Sequence, residues 1–143
     1  MIFCDTSTLA KYYVTEAESA AVRARLDQED QVLASELAKA ELMAVFHRRL
    51  REKIWSRVDF LAAVRQFTKD DVGGFWNWIP LETTLITQVT RTYDTLPETM
   101  FLRTADCIHL ITALRTGLAE IYTHDRHQTQ AAASFGLSVV MIT

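Results

Sequence analysis

The sequence predicts an α/β fold in which a short parallel sheet is enclosed by helices. Three observations carry this. Apolar runs of about four residues recur along the chain, as buried parallel strands do. Helix-period segments fill the spaces between them. Only four glycines and two prolines interrupt 143 residues, so no linker or repeat divides the chain. One domain over residues 1–143 is therefore expected.

The strand candidates are Ile2–Cys4, Val32–Ala34, Ile121–Thr123 and Val139–Ile142, with Ile79–Leu81 as a weaker fifth. Thr6–Val14 and Glu18–Gln28 supply helices after the first strand. Ser35 is placed to cap a helix running to about Lys53. Ser56 with Asp59 fits a capping box, and Trp55 with Phe60 fits a hydrophobic staple. Leu85, Ile86, Val89 and Tyr93 mark another helix. One more runs from Thr104, as N-cap, to Gly117, and the last from Arg126 to Gly136. Both of these end in Gly-Leu, a left-handed cap that turns the chain back into a sheet.

Composition narrows the function classes. The chain is 49% hydrophobic and 23% charged with net charge −3, which argues against disorder and excludes a uniformly basic surface. Cys4 and Cys107 are too few for a disulfide framework and read as thiols of a reducing compartment. Met1–Asp5 lacks the basic start of a signal peptide, and no apolar run approaches the roughly 18 residues of a membrane span. A cytoplasmic location away from membranes is expected.

Four acids stand out. Asp5 and Asp125 follow strands at their carboxyl ends, where open α/β sheets bind ligands. Glu41 lies beside the Leu42, Met43, Phe46 and Leu50 stripe of its helix, and Asp106 occupies the first turn, N2, of another. Each also has an ordinary structural reading. Asp5 and Asp125 suit N-caps, Asp106 suits a helix dipole, and Glu41 can pair with Arg48 or Lys39.

Phe3-Cys4-Asp5-Thr6-Ser7, Ser35 to Leu42, Leu102-Arg103-Thr104-Ala105-Asp106-Cys107-Ile108-His109-Leu110 and Tyr122-Thr123-His124-Asp125-Arg126 together resemble, in order, the four acidic motifs of PIN-domain nucleases. Within that family the chain is most similar to VapC-type toxins of prokaryotic toxin–antitoxin pairs. The resemblance implies a PIN-like three-layer sandwich, with four to five short parallel strands and about seven helices. It implies a metal-dependent endoribonuclease, with Asp5, Glu41, Asp106 and Asp125 as catalytic and metal-binding residues and Thr6 and Thr123 supporting them. It also implies an RNA substrate, a small antitoxin partner and a homodimer. The hairpin around Phe46, Leu50, Trp55 and Phe60 would offer the apolar surface for either protein partner. Two residues depart from the family pattern: His124, where a small or amide residue is usual, and Gln128, where an apolar residue often packs.

Four carboxylates in one pocket repel by about 4 kcal/mol per pair at ~4 Å and an effective dielectric near 20. Without a cation at least one would take up a proton. Carboxylate oxygens without thiolate select Mg²⁺ or Mn²⁺. Without these four acids the chain would be net positive. Arg48, Arg49 and Arg51, in the densest basic run, are candidate RNA contacts; a solvated helix end is the alternative. Trp55, Trp76 and Trp78 fit core or dimer packing better than base stacking.

Other chemistries fit less well. Cys107 with His109, and His124 with His127, do not form a structural-zinc pattern. Ser7 lacks the glycines of a nucleophile elbow. Two alternatives stay open: a PIN-like RNA-binding or interaction module without cleavage, and an RNA-maturation nuclease without an antitoxin.

Overall fold

Alternation along the strands sets the layers. The computed structural model describes all residues, 1–143. Its strands are β1 (Ile2–Phe3), β2 (Val32–Ser35), β3 (Trp76–Ile79), β4 (Glu120–Tyr122) and β5 (Ser138–Val140). The helices are α1 (Thr6–Tyr13), α2 (Ser19–Leu26), α3 (Leu37–Arg51), α4 (Arg57–Val72), α5 (Thr83–Thr95), α6 (Thr104–Arg115) and α7 (Arg126–Ala132), with a 3-10 turn at Ala133–Phe135. All strand pairings are parallel: β1 with β2, β2 with β3, and β4 with β5. A bridge between Cys4 and Tyr122 joins the two parts into the order β3-β2-β1-β4-β5.

Successive strand residues point to opposite faces. Ile2, Cys4, Val32, Ala34 and Trp76 pack under α1 to α4 with Leu9, Val22, Leu42 and Phe46. Phe3, Leu33 and Ile121 pack under α5 to α7 with Leu85, Val89, Leu110 and Ala131. This is the expected three-layer sandwich. Each fully buried Leu or Phe in these layers contributes about 1.5–3 kcal/mol before entropy is counted.

Several expected boundaries shift. The fifth strand is Trp76–Ile79, not Ile79–Leu81. Trp76 and Trp78 pack on the α1–α4 face, and Pro80 ends the pairing. Ser35 closes β2, although its Oγ still accepts the Leu37 N–H at 3.2 Å. Arg103, not Thr104, is the N-cap of α6, which moves Asp106 to N3. The Ser56–Asp59 capping box forms as expected. Gly117 and Gly136 adopt φ of 77° and 73°, as the two helix stops require.

The hairpin surface also differs from the expectation. Phe46 is fully buried, and the exposed apolar residues there are Ile54, Val58 and Leu61. The tryptophans serve the core side. Trp76 Nε1 donates to the Tyr13 hydroxyl at 2.7 Å, and Trp78 Nε1 donates to Asp71 Oδ1 at 2.5 Å. No helix is long and apolar enough to cross a membrane.

Candidate active site

The carboxyl ends of β1 and β4 diverge from the sheet at neighbouring positions, because the Cys4–Tyr122 bridge holds them side by side. Asp5 and Asp125 lie within three residues of these ends, and each caps the next helix. Asp5 Oδ1 accepts the N–H of Ser7 at 3.0 Å and of Thr8 at 3.2 Å. Asp125 Oδ1 accepts the N–H of His127 at 2.7 Å and of Gln128 at 3.0 Å. The capping reading and the site reading are thus compatible: each cap uses Oδ1, while Oδ2 is bound by Thr123 in Asp5 and by Arg103 in Asp125, both of which belong to the site.

A cavity of about 480 Å³ lies there, and Asp5, Glu41, Asp106 and Asp125 all line it. On α3 the pocket face is Glu41, Val45 and Arg48, while Ala38, Leu42 and Phe46 form the buried stripe. Glu41 pairs with neither Arg48 nor Lys39. Its Oε1 accepts the Thr6 hydroxyl at 2.7 Å and faces His109 Nε2 at 2.5 Å. A carboxylate partner assigns the hydrogen to Nε2. Asp5 is 3% exposed and is also bound by the hydroxyls of Ser7 and Thr123. Thr123 Oγ1 accepts the Asp125 N–H at 3.0 Å as well, so one hydroxyl ties two of the acids together.

A further connection is Arg103. Its Nε donates to Asp106 Oδ2 at 2.7 Å, and its Nη2 donates to Asp106 Oδ1 at 3.2 Å and to Asp125 Oδ2 at 3.0 Å. The acids therefore do not face one another without a counter-charge, as the sequence alone had suggested; the chain supplies a cation. Arg103, His109 and Ser7 are side chains of the site that sequence reasoning did not assign to it. The available signals were the i, i+3 spacing of Arg103 and His109 from Asp106 and the place of Ser7 two residues after Asp5.

The carboxyls respond differently to these surroundings. Burial raises the Asp5 carboxyl above its ordinary value, and His109, Ser7 and Thr123 offset this only in part. Burial pushes Glu41 up too, but the His109 and Thr6 hydrogen bonds, with Arg103 nearby, bring it below the usual range. Asp125 is likewise lowered, because the Gln128 N–H, Arg103 and the His127 N–H outweigh its partial burial. Both are held ionised.

The donor set suits a hard divalent cation: carboxylate oxygens in a polar pocket, without a thiolate. Five acids line the pocket against the three cations Lys11, Arg48 and Arg103, which leaves an excess of negative charge. As the side chains stand, no three His, Cys, Asp or Glu groups are arranged to chelate one ion. Arg103, His109, Ser7 and Thr123 take the inward oxygens instead. Cys107 is packed in the core, and both His124 ring nitrogens are occupied, by the Thr8 hydroxyl and the Ile142 carbonyl.

Of the basic candidates, only Arg48 lines the pocket, and no carboxylate pairs with it. Arg49 donates to Glu16 at 2.6 Å and lies over the Trp55 ring. Arg51 projects to solvent beside Glu52.

Residues 2–134 match the sequence profile of the PIN domain. The chain belongs to the PIN domain family. This PIN-domain protein is 29% identical over 147 residues to ribonuclease VapC46 of Mycobacterium tuberculosis, covering 97% of this chain and 95% of the relative. Its fold is similar to the crystal structure of M. tuberculosis VapC20, described as a sarcin-ricin loop cleaving toxin. The TM-score is 0.70 at 16% identity, over 92% of this chain and 95% of that one. FitAcB from Neisseria gonorrhoeae is also similar, with a TM-score of 0.67 at 17% identity over 97% and 96% of the two chains.

Proposed function

We propose that this PIN-domain protein is a Mg²⁺- or Mn²⁺-dependent endoribonuclease and the toxin of a type II toxin–antitoxin pair. The observation that carries the reading is the convergence of Asp5, Glu41, Asp106 and Asp125 from two helices and two strand ends on one pocket. The similarity to a relative named as a ribonuclease, and to a toxin described as cleaving the sarcin-ricin loop, favours RNA as the substrate.

Asp5, Glu41, Asp106 and Asp125 would hold the ion. When bound, it supplies Lewis acidity, offsetting charge on the phosphodiester and making water a competent nucleophile at neutral pH. The protein's own residues prepare for this. Thr6 and His109 fix the Glu41 carboxylate and keep it ionised. Ser7 and Thr123 fix Asp5, and Thr123 sets the backbone that carries Asp125. Arg48, unpaired at the pocket wall, is the side chain placed to hold an RNA phosphate. The exposed Ile54, Val58 and Leu61 of the α3–α4 hairpin are the surface we assign to the antitoxin or a second copy of the chain.

The test is cleavage of RNA by purified protein with Mg²⁺ or Mn²⁺, and its arrest by a chelator. Attack by water needs no 2′-hydroxyl, so products carry 5′-phosphate and 3′-hydroxyl ends. Cyclic phosphate ends, or full activity in excess chelator, would contradict the reading.

A further inference from the structure

Within the acid pocket the four carboxylates are not held alike. Asp5 and Glu41 are fixed by hydroxyls, an imidazole and, for Asp5, backbone N–H groups. Asp106 is gripped by the fork of one guanidinium, which also reaches Asp125. The side chain of Asp106 is 9% exposed, whereas that of Arg103 is 48% exposed. Asp106 and Asp125 are the only side-chain partners of that guanidinium. Its backbone anchor is extended, with φ −72° and ψ 151°, just ahead of α6. The arginine is therefore strongly paired toward the pocket and unrestrained toward solvent.

We propose that Arg103 is a displaceable internal counter-ion, one that neutralises Asp106 and Asp125 in the metal-free chain and has to release them for a divalent cation to bind. This rests on the metal-dependent reading above. The physical reason is competition for the same lone pairs. Three charge-assisted hydrogen bonds occupy carboxylate oxygens that a small hard cation requires. Remaining in place would also set a fixed positive charge beside the ion, which weakens its binding. Release gives up these hydrogen bonds but fully hydrates a guanidinium whose side chain is already half in water, which offsets part of the loss. A lysine has the charge but not the fork, so it would grip one carboxylate at a time.

The experiment is calorimetric titration of Mn²⁺ into chelator-stripped wild type, Arg103→Met and Arg103→Lys, with thermal melts of each. Arg103→Met should bind Mn²⁺ about tenfold more tightly than wild type, the scale of one lost charge-assisted competitor. Arg103→Lys should fall between the two. Mn²⁺ should also raise the melting temperature of Arg103→Met more than that of wild type. Equal affinities would overturn the inference. So would weaker binding in Arg103→Met, which would make the arginine a positioning residue for the ion site. If Arg103→Met does not fold, Arg103→Lys decides: tighter binding than wild type supports the inference, and equal or weaker binding overturns it. Cleavage of RNA by wild type, assayed alongside, separates the two claims. Cleavage with Mn²⁺ affinity indifferent to Arg103 refutes this inference alone. Tighter Mn²⁺ binding in the variants without RNA cleavage by wild type refutes the nuclease reading alone.

Discussion

His109 Nε2 lies 2.5 Å from Glu41 Oε1, linking α6 to α3 across 68 residues of chain. The imidazole is 3% exposed, and it shares that carboxylate oxygen with the Thr6 hydroxyl. Glu41 projects into the pocket from the middle of a helix, where no backbone N–H is free to hold it. Its orientation therefore depends on these two donors.

Removing the imidazole should accordingly act through Glu41. His109→Ala should lower metal affinity or RNA-cleavage rate by about 10- to 100-fold, the usual loss when the partner of a ligand is deleted. His109→Gln keeps an N–H donor and should retain more activity than His109→Ala. Metal titration and cleavage rates of the two variants check this. Equal behaviour of Ala and Gln would mean that the hydrogen bond to Glu41 is not what His109 contributes.

A second prediction concerns Gln128. It is fully buried on α7, and neither its Oε1 nor its Nε2 has a hydrogen-bond partner. An unsatisfied buried amide costs about 1–3 kcal/mol, and an apolar side chain of similar size removes that cost. Gln128→Met or Gln128→Leu should raise the unfolding free energy by about that amount, measured by urea denaturation. A loss of stability would show that the amide is satisfied in solution.

The departure at Gln128 was visible in the sequence, and so were Asp5 and Asp125, because a residue directly after a short apolar strand has a predictable place. Glu41 was legible from helical spacing. Arg103 and His109 were not. An Arg three residues before an Asp resembles any helix-start ion pair, and His109 falls among Ile108, Leu110 and Ile111, where it reads as core. His109 on α6 meets Glu41 on α3 only because the two helices flank opposite faces of β2, and Arg103 meets Asp125 only because α6 packs beside α7. The same holds for β3: the Trp76-Asn77-Trp78-Ile79 alternation is a strand signal, but tryptophans read equally well as helix packing until β2 pairs with them.

A third prediction follows from the carboxyl of Asp5, which burial raises above its ordinary value of 3.8. The folded chain then binds this proton more tightly than the unfolded chain. Its ionisation lowers stability as pH rises from 3.8 through the raised value, and the loss persists at neutral pH. Asp5→Asn keeps an Oδ1 to accept the Ser7 and Thr8 N–H groups and cannot ionise. The metal-free variant should therefore gain stability over wild type as pH rises through that window, then hold a constant advantage. Glu41 and Asp125 have the opposite sign. Their lowered carboxyls contribute stability above the ordinary values of 4.5 and 3.8, and it is lost as pH falls through the folded values. Chemical denaturation across acidic and neutral pH, in chelator, separates the two behaviours. An Asp5→Asn advantage that grows toward low pH would contradict the assignment.

The central claim is that four carboxylates from separate parts of the chain act as one metal-dependent site on RNA. The most direct measurement is the single-turnover rate of RNA cleavage in Mn²⁺ for Asp5→Asn, Glu41→Gln, Asp106→Asn and Asp125→Asn, each verified as folded by its thermal melt. The account predicts that all four lose at least about 100-fold in rate, since each removes a charged ligand and the group acts as a unit. Wild-type turnover in folded Glu41→Gln or Asp106→Asn would contradict it.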